Sequence, residues 1–168
     1  KNLSKVFGAH EVLRGLTFSV EPGDVVGVLG KNRAGKTTLL ELMLGFTPAT
    51  GGQVEVFGHE SFDLPGDSKA RVGFVPQQDE LVDQLHARDQ LSAIASFYPR
   101  WDAALIQRLC MEWGVDLRAR IKAMSVGERQ KLSILLALGH KPELLVLDEP
   151  VASLGPLARR QVLGQIVD

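Results

Sequence analysis

Cysteine is all but absent from this 168-residue chain: Cys110 stands alone, so no disulfide can close within it, which fits a reducing compartment. Net charge is nearly absent too. Nineteen Lys and Arg against 20 Asp and Glu leave a formal −1, which removes bulk electrostatic attraction to nucleic acid as a basis for function. The short basic group Arg118, Arg120 and Lys122 reads as a solvated face. Long apolar runs are lacking, since none approaches the roughly 18–20 residues that cross a bilayer. The four histidines, His10, His59, His86 and His140, lack metal-ligand spacing and read as surface or capping residues. No secretory leader is visible.

What is present is enough apolar material for a core. At 45% hydrophobic residues the chain can bury one, and its length suits a single domain over residues 1–168. The sequence opens at Lys1 rather than at methionine and stops at "GQIVD" inside a helical pattern. The expectation is therefore a domain incomplete at both ends.

Patterning divides the chain further. "LTFSVEPGDVVGVLG" carries two strand signals about Pro22-Gly23: Phe18 and Val20 alternate in the first, and Val25–Leu29 form a continuously apolar, buried-type second. "KTTLLELMLGF" has the helical period, with Leu39, Leu40, Met43 and Leu44 on one face and Gly45 as the stop. "QVEVFG" and "RVGFVP" read as strands. From Arg88 to Trp113 the period is helical, broken near Pro99. A longer helix starts at Ser125, "PELLVLDEP" is a buried strand, and a last helix begins near Pro156. The fold class is α/β: a mostly parallel sheet flanked by helices, carrying a β-subdomain and a helical subdomain over roughly residues 79–140.

Three stretches carry chemistry. Gly30, Gly35, Lys36 and Thr37 meet G-x-x-x-x-G-K-[ST] between an apolar run and a helix. Backbone N–H groups of such a loop converge on phosphate, aided by the positive end of the helix. Lys36 then neutralises the β- and γ-phosphates and the Thr37 hydroxyl ligates Mg²⁺. In "LLVLDEP", a buried strand delivers Asp148, suited to hold Mg²⁺ through water, and Glu149, suited to orient or deprotonate an attacking water. In "MSVGERQKL", Ser125 is a helix N-cap and Gly127 permits close backbone approach.

Taken in this order, the motifs resemble those of the ATP-binding cassette (ABC) ATPases over essentially the whole chain. The resemblance makes residues 30–38 the P-loop, with Asn32, Arg33, Ala34, Gly35, Lys36, Thr37 and Thr38 at the ATP. It makes Gln77 in "FVPQQ" the Q-loop glutamine, at the metal beside Thr37 and Asp148. Ser125, Val126, Gly127 and Glu128 become the signature that meets a partner chain's ATP, and Leu144–Glu149 the Walker B strand. Phe7 in "KVFG" takes the place of the aromatic that stacks on adenine. The fold it implies is a P-loop NTPase core with an antiparallel β-subdomain and a helical subdomain.

The activity implied is Mg²⁺-dependent ATP hydrolysis, with Glu149, Gln77 and Lys36 as the catalytic residues and ATP and Mg²⁺ as ligand and cofactor. The partners implied are a second ABC domain, paired head to tail, and a transmembrane permease, which puts the protein on the cytoplasmic, inner face of the membrane. The run "WD…VDL…KxPELLVLDEP" resembles bacterial single-domain ATPases of exporters. Two other readings stay open: a degenerate or truncated domain that binds ATP but hydrolyses it weakly, and a soluble ABC ATPase acting on nucleic acid or the ribosome, for which no basic surface speaks.

Four positions depart from the family. Arg33 stands where glycine is usual; if the backbone there has φ > 0, the substitution costs roughly 1–2 kcal/mol. Val126 and Glu128 replace a glycine and a glutamine that are common in the signature. In "ASLGPLARR", Gly155 stands in place of the aspartate of the family's D-loop, and the switch histidine would lie beyond Asp168.

Overall fold

A computed structural model describes the backbone of residues 1–31, 33–150 and 154–167, and the side chains of these apart from 157 and 165–167. Contacts divide the chain into two compact units, Lys1–Lys69 and Ala70–Asp168.

The first unit opens with an antiparallel hairpin, β1 (Leu3–Phe7) and β2 (His10–Leu16), in which Phe7 faces His10 across a tight turn. Gly8 at φ 59 makes that turn, taking a left-handed backbone that glycine adopts without cost. Helix α1 (Lys36–Met43) buries Leu39 and Leu42, which close on Leu3 with Leu13, Leu16 and Met43 around them. The apolar stripe of α1 is thus centred one position away from the expected set, on Leu42 rather than on Leu40 and Leu44, because the hairpin lies against that side. Gly45 ends the helix at φ 72, and a Cβ there would run into the Ser61 carbonyl. Two-residue strands β3 (Glu55–Val56) and β4 (His59–Glu60) pair antiparallel, so "QVEVFG" yields only a short strand. A single turn, α2 (Gly66–Lys69), closes the unit.

The expected strands at Phe18–Val20 and Val25–Leu29 do not form. Val25 is 71% exposed and Leu29 95%. An apolar run becomes a strand only when a neighbour takes its N–H and C=O groups, and among the described residues none pairs with these. Among the described residues the sheets are correspondingly small, three pairs of strands with one parallel.

That parallel pair anchors the second unit. β5 (Val72–Val75) runs beside β6 (Leu144–Leu147) in register, Val72 facing Leu144 and Val75 facing Leu147. Around it lie α3 (Ala87–Ala95), α4 (Ala103–Trp113), α5 (Val126–Leu138) and α6 (Pro156–Val167). The break near Pro99 separates α3 from α4 as the pattern indicates, and Asp102 caps α4 by accepting the Leu105 N–H at 2.9 Å. Leu109, Ile121, Leu132, Ile134 and Leu135 fill the core with Val75. Cys110 is buried in it, and desolvation pushes its thiol pKa up, as for an inert structural cysteine.

His140 corrects the surface reading of the histidines. It is buried just past α5, stacks on Tyr98 with ring centroids 4.1 Å apart, and its Nε2 lies 3.1 Å from the Val72 carbonyl that accepts from it. Desolvation lowers its pKa, so the neutral ring is the one buried. His10 and His59 are exposed as expected, and His86 precedes α3. No described helix is long and apolar enough to cross a membrane.

Candidate nucleotide site

The glycine-rich loop of the first unit is shaped by two left-handed residues. Gly35, at φ 87, is the N-cap of α1, and a Cβ on it would sit 2.9 Å from Val12 Cγ1 and 3.2 Å from the Val12 carbonyl. Both backbone and space therefore demand glycine. Arg33 takes φ 65, so the conformation that makes a side chain costly there is the one it adopts. Ala34 donates its N–H to the Lys31 carbonyl at 3.1 Å, closing the turn. Asn32 lies outside the described residues.

Helix α1 opens with no side-chain cap, and first-turn N–H groups have no partners inside a helix, which leaves a positive dipole end facing the loop. Lys36 folds back over it, its ammonium donating to the carbonyls of Gly30 at 3.0 Å and Lys31 at 3.2 Å. A cation beside a glycine-rich turn at a helix N-terminus is suited in charge to a phosphate. Thr37 and Thr38 follow on the first turn of α1. In the same unit, Phe7 ends β1 with its ring 49% exposed, and Lys5 Nζ sits 4.8 Å from the ring centre. Lys5 is held there by donating to Thr47 Oγ1 at 3.0 Å and the Pro48 carbonyl at 2.7 Å. One face of Phe7 therefore meets a cation.

The second unit brings together the residues that end its parallel strands. Asp148 follows β6, 5% exposed, and its N–H donates to the Val75 carbonyl at 2.9 Å, which extends the ladder past the strand. Glu149 then turns out of the sheet with φ 52, a left-handed conformation rare for a side-chain-bearing residue. Strain of this kind clusters at functional positions. Gln77, two residues beyond β5, donates from Nε2 to Glu149 Oε2 at 3.2 Å. The chain joins these residues from 72 positions apart because β5 and β6 run parallel and stop level, and carboxyl ends of parallel strands are where such folds bind ligands.

Helix α5 starts as the sequence indicates. Ser125 Oγ accepts the Glu128 N–H at 3.3 Å, and Glu128 Oε2 accepts the Ser125 N–H at 2.8 Å and its hydroxyl at 2.7 Å. These bonds from Ser125, hydroxyl first, hold the Glu128 carboxyl below the usual carboxylate range. Val126 stands 66% exposed at the helix tip, beside Gly127. Residues 151–153 lie outside the described residues, and with them Ala152 and Ser153, which begin the stretch resembling the D-loop. At Gly155 a Cβ would meet nothing within 4 Å, so packing does not require glycine there.

Compared with known proteins, residues 13–152 match the ABC transporter family. The chain belongs to that family. The cassette is 32% identical over 171 residues to the linearmycin resistance ATP-binding protein LnrL of Bacillus subtilis, covering 99% of this chain and 55% of that protein. It is 34% identical over 166 residues to the Nod factor export ATP-binding protein I of Burkholderia lata, covering 95% and 54%. A solved ATP-binding subunit of an ABC transporter superposes with a TM-score of 0.88 at 28% identity, covering 99% of this chain and 72% of that one. The fold is accordingly that of the P-loop NTPase cassettes. The chain spans about half the length of the curated relatives it matches.

Within the cassette, two groups escaped the reading of the sequence. Lys5 beneath Phe7 could have been suspected from its place in the alternation of "LSKVF", where a buried lysine needs partners. The carboxylates of Asp79 and Asp83, which meet Arg129 of α5, carry no local signal, since they lie 50 and 46 residues from it.

The geometry at Arg33 yields a measurable expectation. Arg33→Gly should relieve the left-handed strain while adding freedom to the unfolded chain, for a net gain of about 0.5–1 kcal/mol. Urea unfolding of the two proteins checks this; a loss of stability would show that the arginine makes compensating contacts.

Proposed function

We propose that the protein is the ATP-hydrolysing subunit of an ABC exporter, working as a dimer of cassettes coupled to a transmembrane permease at the inner face of the membrane. The observation that carries this reading is the Gln77–Glu149 hydrogen bond at the ends of the parallel strands. It sets a neutral amide against a carboxylate held in a left-handed turn, an arrangement suited to position a water for attack.

The roles follow from the residues. The loop of Gly30–Thr38, Asn32 to Ala34 included, cradles the β- and γ-phosphates with backbone N–H groups, and Lys36 exchanges its loop carbonyls for phosphate oxygens. Phe7 offers its remaining face to adenine. Hard oxygen donors of the kind that Mg²⁺ takes are the Thr37 hydroxyl in the first unit and, in the second, the Gln77 amide oxygen and the buried Asp148 carboxylate. Mg²⁺ held by such donors would supply charge neutralisation at the phosphates. Glu149 takes the proton of the attacking water or orients it, while Gln77 holds Glu149 in place.

Ser125, Val126, Gly127 and Glu128 present the start of α5 to the ATP of a second cassette. To donate to a phosphate, the Ser125 hydroxyl must turn from Glu128, so engagement exchanges one charge-assisted hydrogen bond for another. The helical subdomain, roughly residues 79–140 with α3, α4 and α5, faces the permease. Export is supported by the similarity to the Nod factor export ATP-binding protein. Direct nucleic-acid binding has no support in charge or surface.

Mg-ATP turnover by the full-length protein tests the proposal, with ATP-dependent dimerisation followed by sedimentation. Absence of ATP binding in a folded sample would overturn it. A weakly hydrolysing variant of the same function is favoured by Arg33 at φ 65 and by Gly155, and it predicts ATP binding and dimerisation with little turnover.

A further inference from the structure

Between the Gln77 loop and the start of α5 lies a cleft of about 260 Å³, lined by Pro76, Gln77, Asp79, Val126, Arg129 and Ser133. Its lining mixes polar and apolar surface in about equal measure, and the buried Ser133 Oγ finds no hydrogen-bond partner among the described residues. Backbone bonds tie Asp83 to Lys122 and Leu85 to Ile121 farther along, and at the cleft itself the Arg129 side chain reaches across. Arg129, four residues past the Ser125 cap, donates through Nε and Nη2 to both oxygens of Asp79 at 2.9 and 2.5 Å. Its Nη1 donates to Asp83 Oδ1 at 2.6 Å and to the Ile121 carbonyl at 3.2 Å.

The Arg129 and Asp79 side chains are 20% and 22% exposed, so the bonds between them are shielded from water in a way that surface pairs are not, whereas Asp83 stands on the exposed side. The paired donors fit a carboxylate as a rigid fork, which a lysine ammonium cannot reproduce. The hydrogen bonds from Arg129 hold the Asp79 carboxyl below its usual range, in keeping with the same geometry.

We infer that Arg129 is a positioning residue for ATP hydrolysis, clamping the loop of Gln77 to the start of α5 so that movement at one reaches Ser125 and Gly127 at the other. This rests on the proposed ATPase reading. Asp79 lies two residues from Gln77, and Arg129 two residues from Gly127. A displacement of the loop when Gln77 leaves Glu149 carries Asp79 with it. A two-point fork resists bending about either bond, so the helix start follows instead of the link stretching.

The test uses the full-length protein with Arg129→Lys, Asp79→Asn and the double variant. Steady-state Mg-ATP kinetics, thermal melting and amide hydrogen exchange with and without ATP are measured on each. Arg129→Lys is expected to lower kcat about tenfold with KM changed by less than about twofold. Addition of ATP should still protect residues 30–38 in that variant but no longer those at 125–130. The double variant should be no slower than Arg129→Lys alone, because one interaction is lost once. If Arg129→Lys does not fold, Asp79→Asn, nearly isosteric, supplies the same comparison.

Unchanged kcat, additive losses, or ATP protection persisting at 125–130 would overturn the clamp while leaving the ATPase reading intact. A fall in kcat that only tracks the melted fraction would overturn it as well, reducing Arg129 to a stabilising residue. An unaltered protein with neither turnover nor ATP protection at 30–38 would remove the ATPase reading, and the clamp's role with it.

Discussion

Glu149→Gln is expected to cut Mg-ATP turnover of the full-length protein by about 10²–10⁴-fold, the range lost when a positioned general base is removed. The substitution replaces one carboxylate oxygen by an NH₂ of nearly the same size, so ATP affinity should stay close to that of the unaltered protein. Glutamine keeps an oxygen able to accept the Gln77 Nε2–H now given to Glu149 at 3.2 Å. The left-handed backbone at position 149 costs the two residues about the same, so stability should hardly move. ATP-bound dimers should accumulate, because closure remains and the step that ends it is slowed. Single-turnover hydrolysis and sedimentation with ATP measure both. A residual rate within about tenfold of the unaltered protein would show that Glu149 is not the base.

Gly73→Val should damage the second unit severely, costing about 3 kcal/mol. Gly73 sits in β5 opposite Leu145, where a Cβ would lie 2.7 Å from the Ala137 carbonyl of α5 and 2.9 Å from both Leu145 Cδ1 and Pro142 Cγ. The two side chains can yield, but the carbonyl belongs to helix backbone and cannot. Either α5 moves away from β5 or the strand pair splays, and both disturb the ends that hold Gln77 and Glu149. Urea unfolding of the full-length protein should show a lowered midpoint, with turnover falling even in the folded fraction. A stability loss under about 1 kcal/mol would mean that the sheet and α5 separate more easily than their contact implies.

Some of this architecture is legible residue by residue. The start of α5 is written in Ser125 and Glu128, three apart, because a capping box needs only its own helix turn. β5 and β6 are legible as apolar runs closed by Pro76 and by Asp148-Glu149-Pro150. The break near Pro99 is legible because proline cannot continue the helix it would enter. The hairpin β1–β2 went unread although Gly8 marks its turn, since its alternation is blurred by Lys5, a buried cation.

Val25–Leu29 were read as a strand, and the reading failed for a physical reason: hydrophobicity favours burial but cannot supply the neighbour that a strand's backbone requires. The face of α1 slipped for a related reason, because which stripe is buried depends on where the hairpin lies.

The sequence by itself determined the family chemistry: the order of glycine-rich loop, Gln77, signature serine and Asp148-Glu149 is a property of the chain and needs no coordinates to recognise. It determined also the local conformations that follow from one or two residues, such as the cap at Ser125. Tertiary structure alone decided that Arg33 adopts the left-handed backbone, that Gln77 reaches Glu149, and that Arg129 joins Asp79 and Asp83. Those contacts depend on two parallel strands stopping level and on a helix packed beside them. Pairings across tens of residues are set by the summed burial of a whole unit, which leaves no mark on the residues that finally meet.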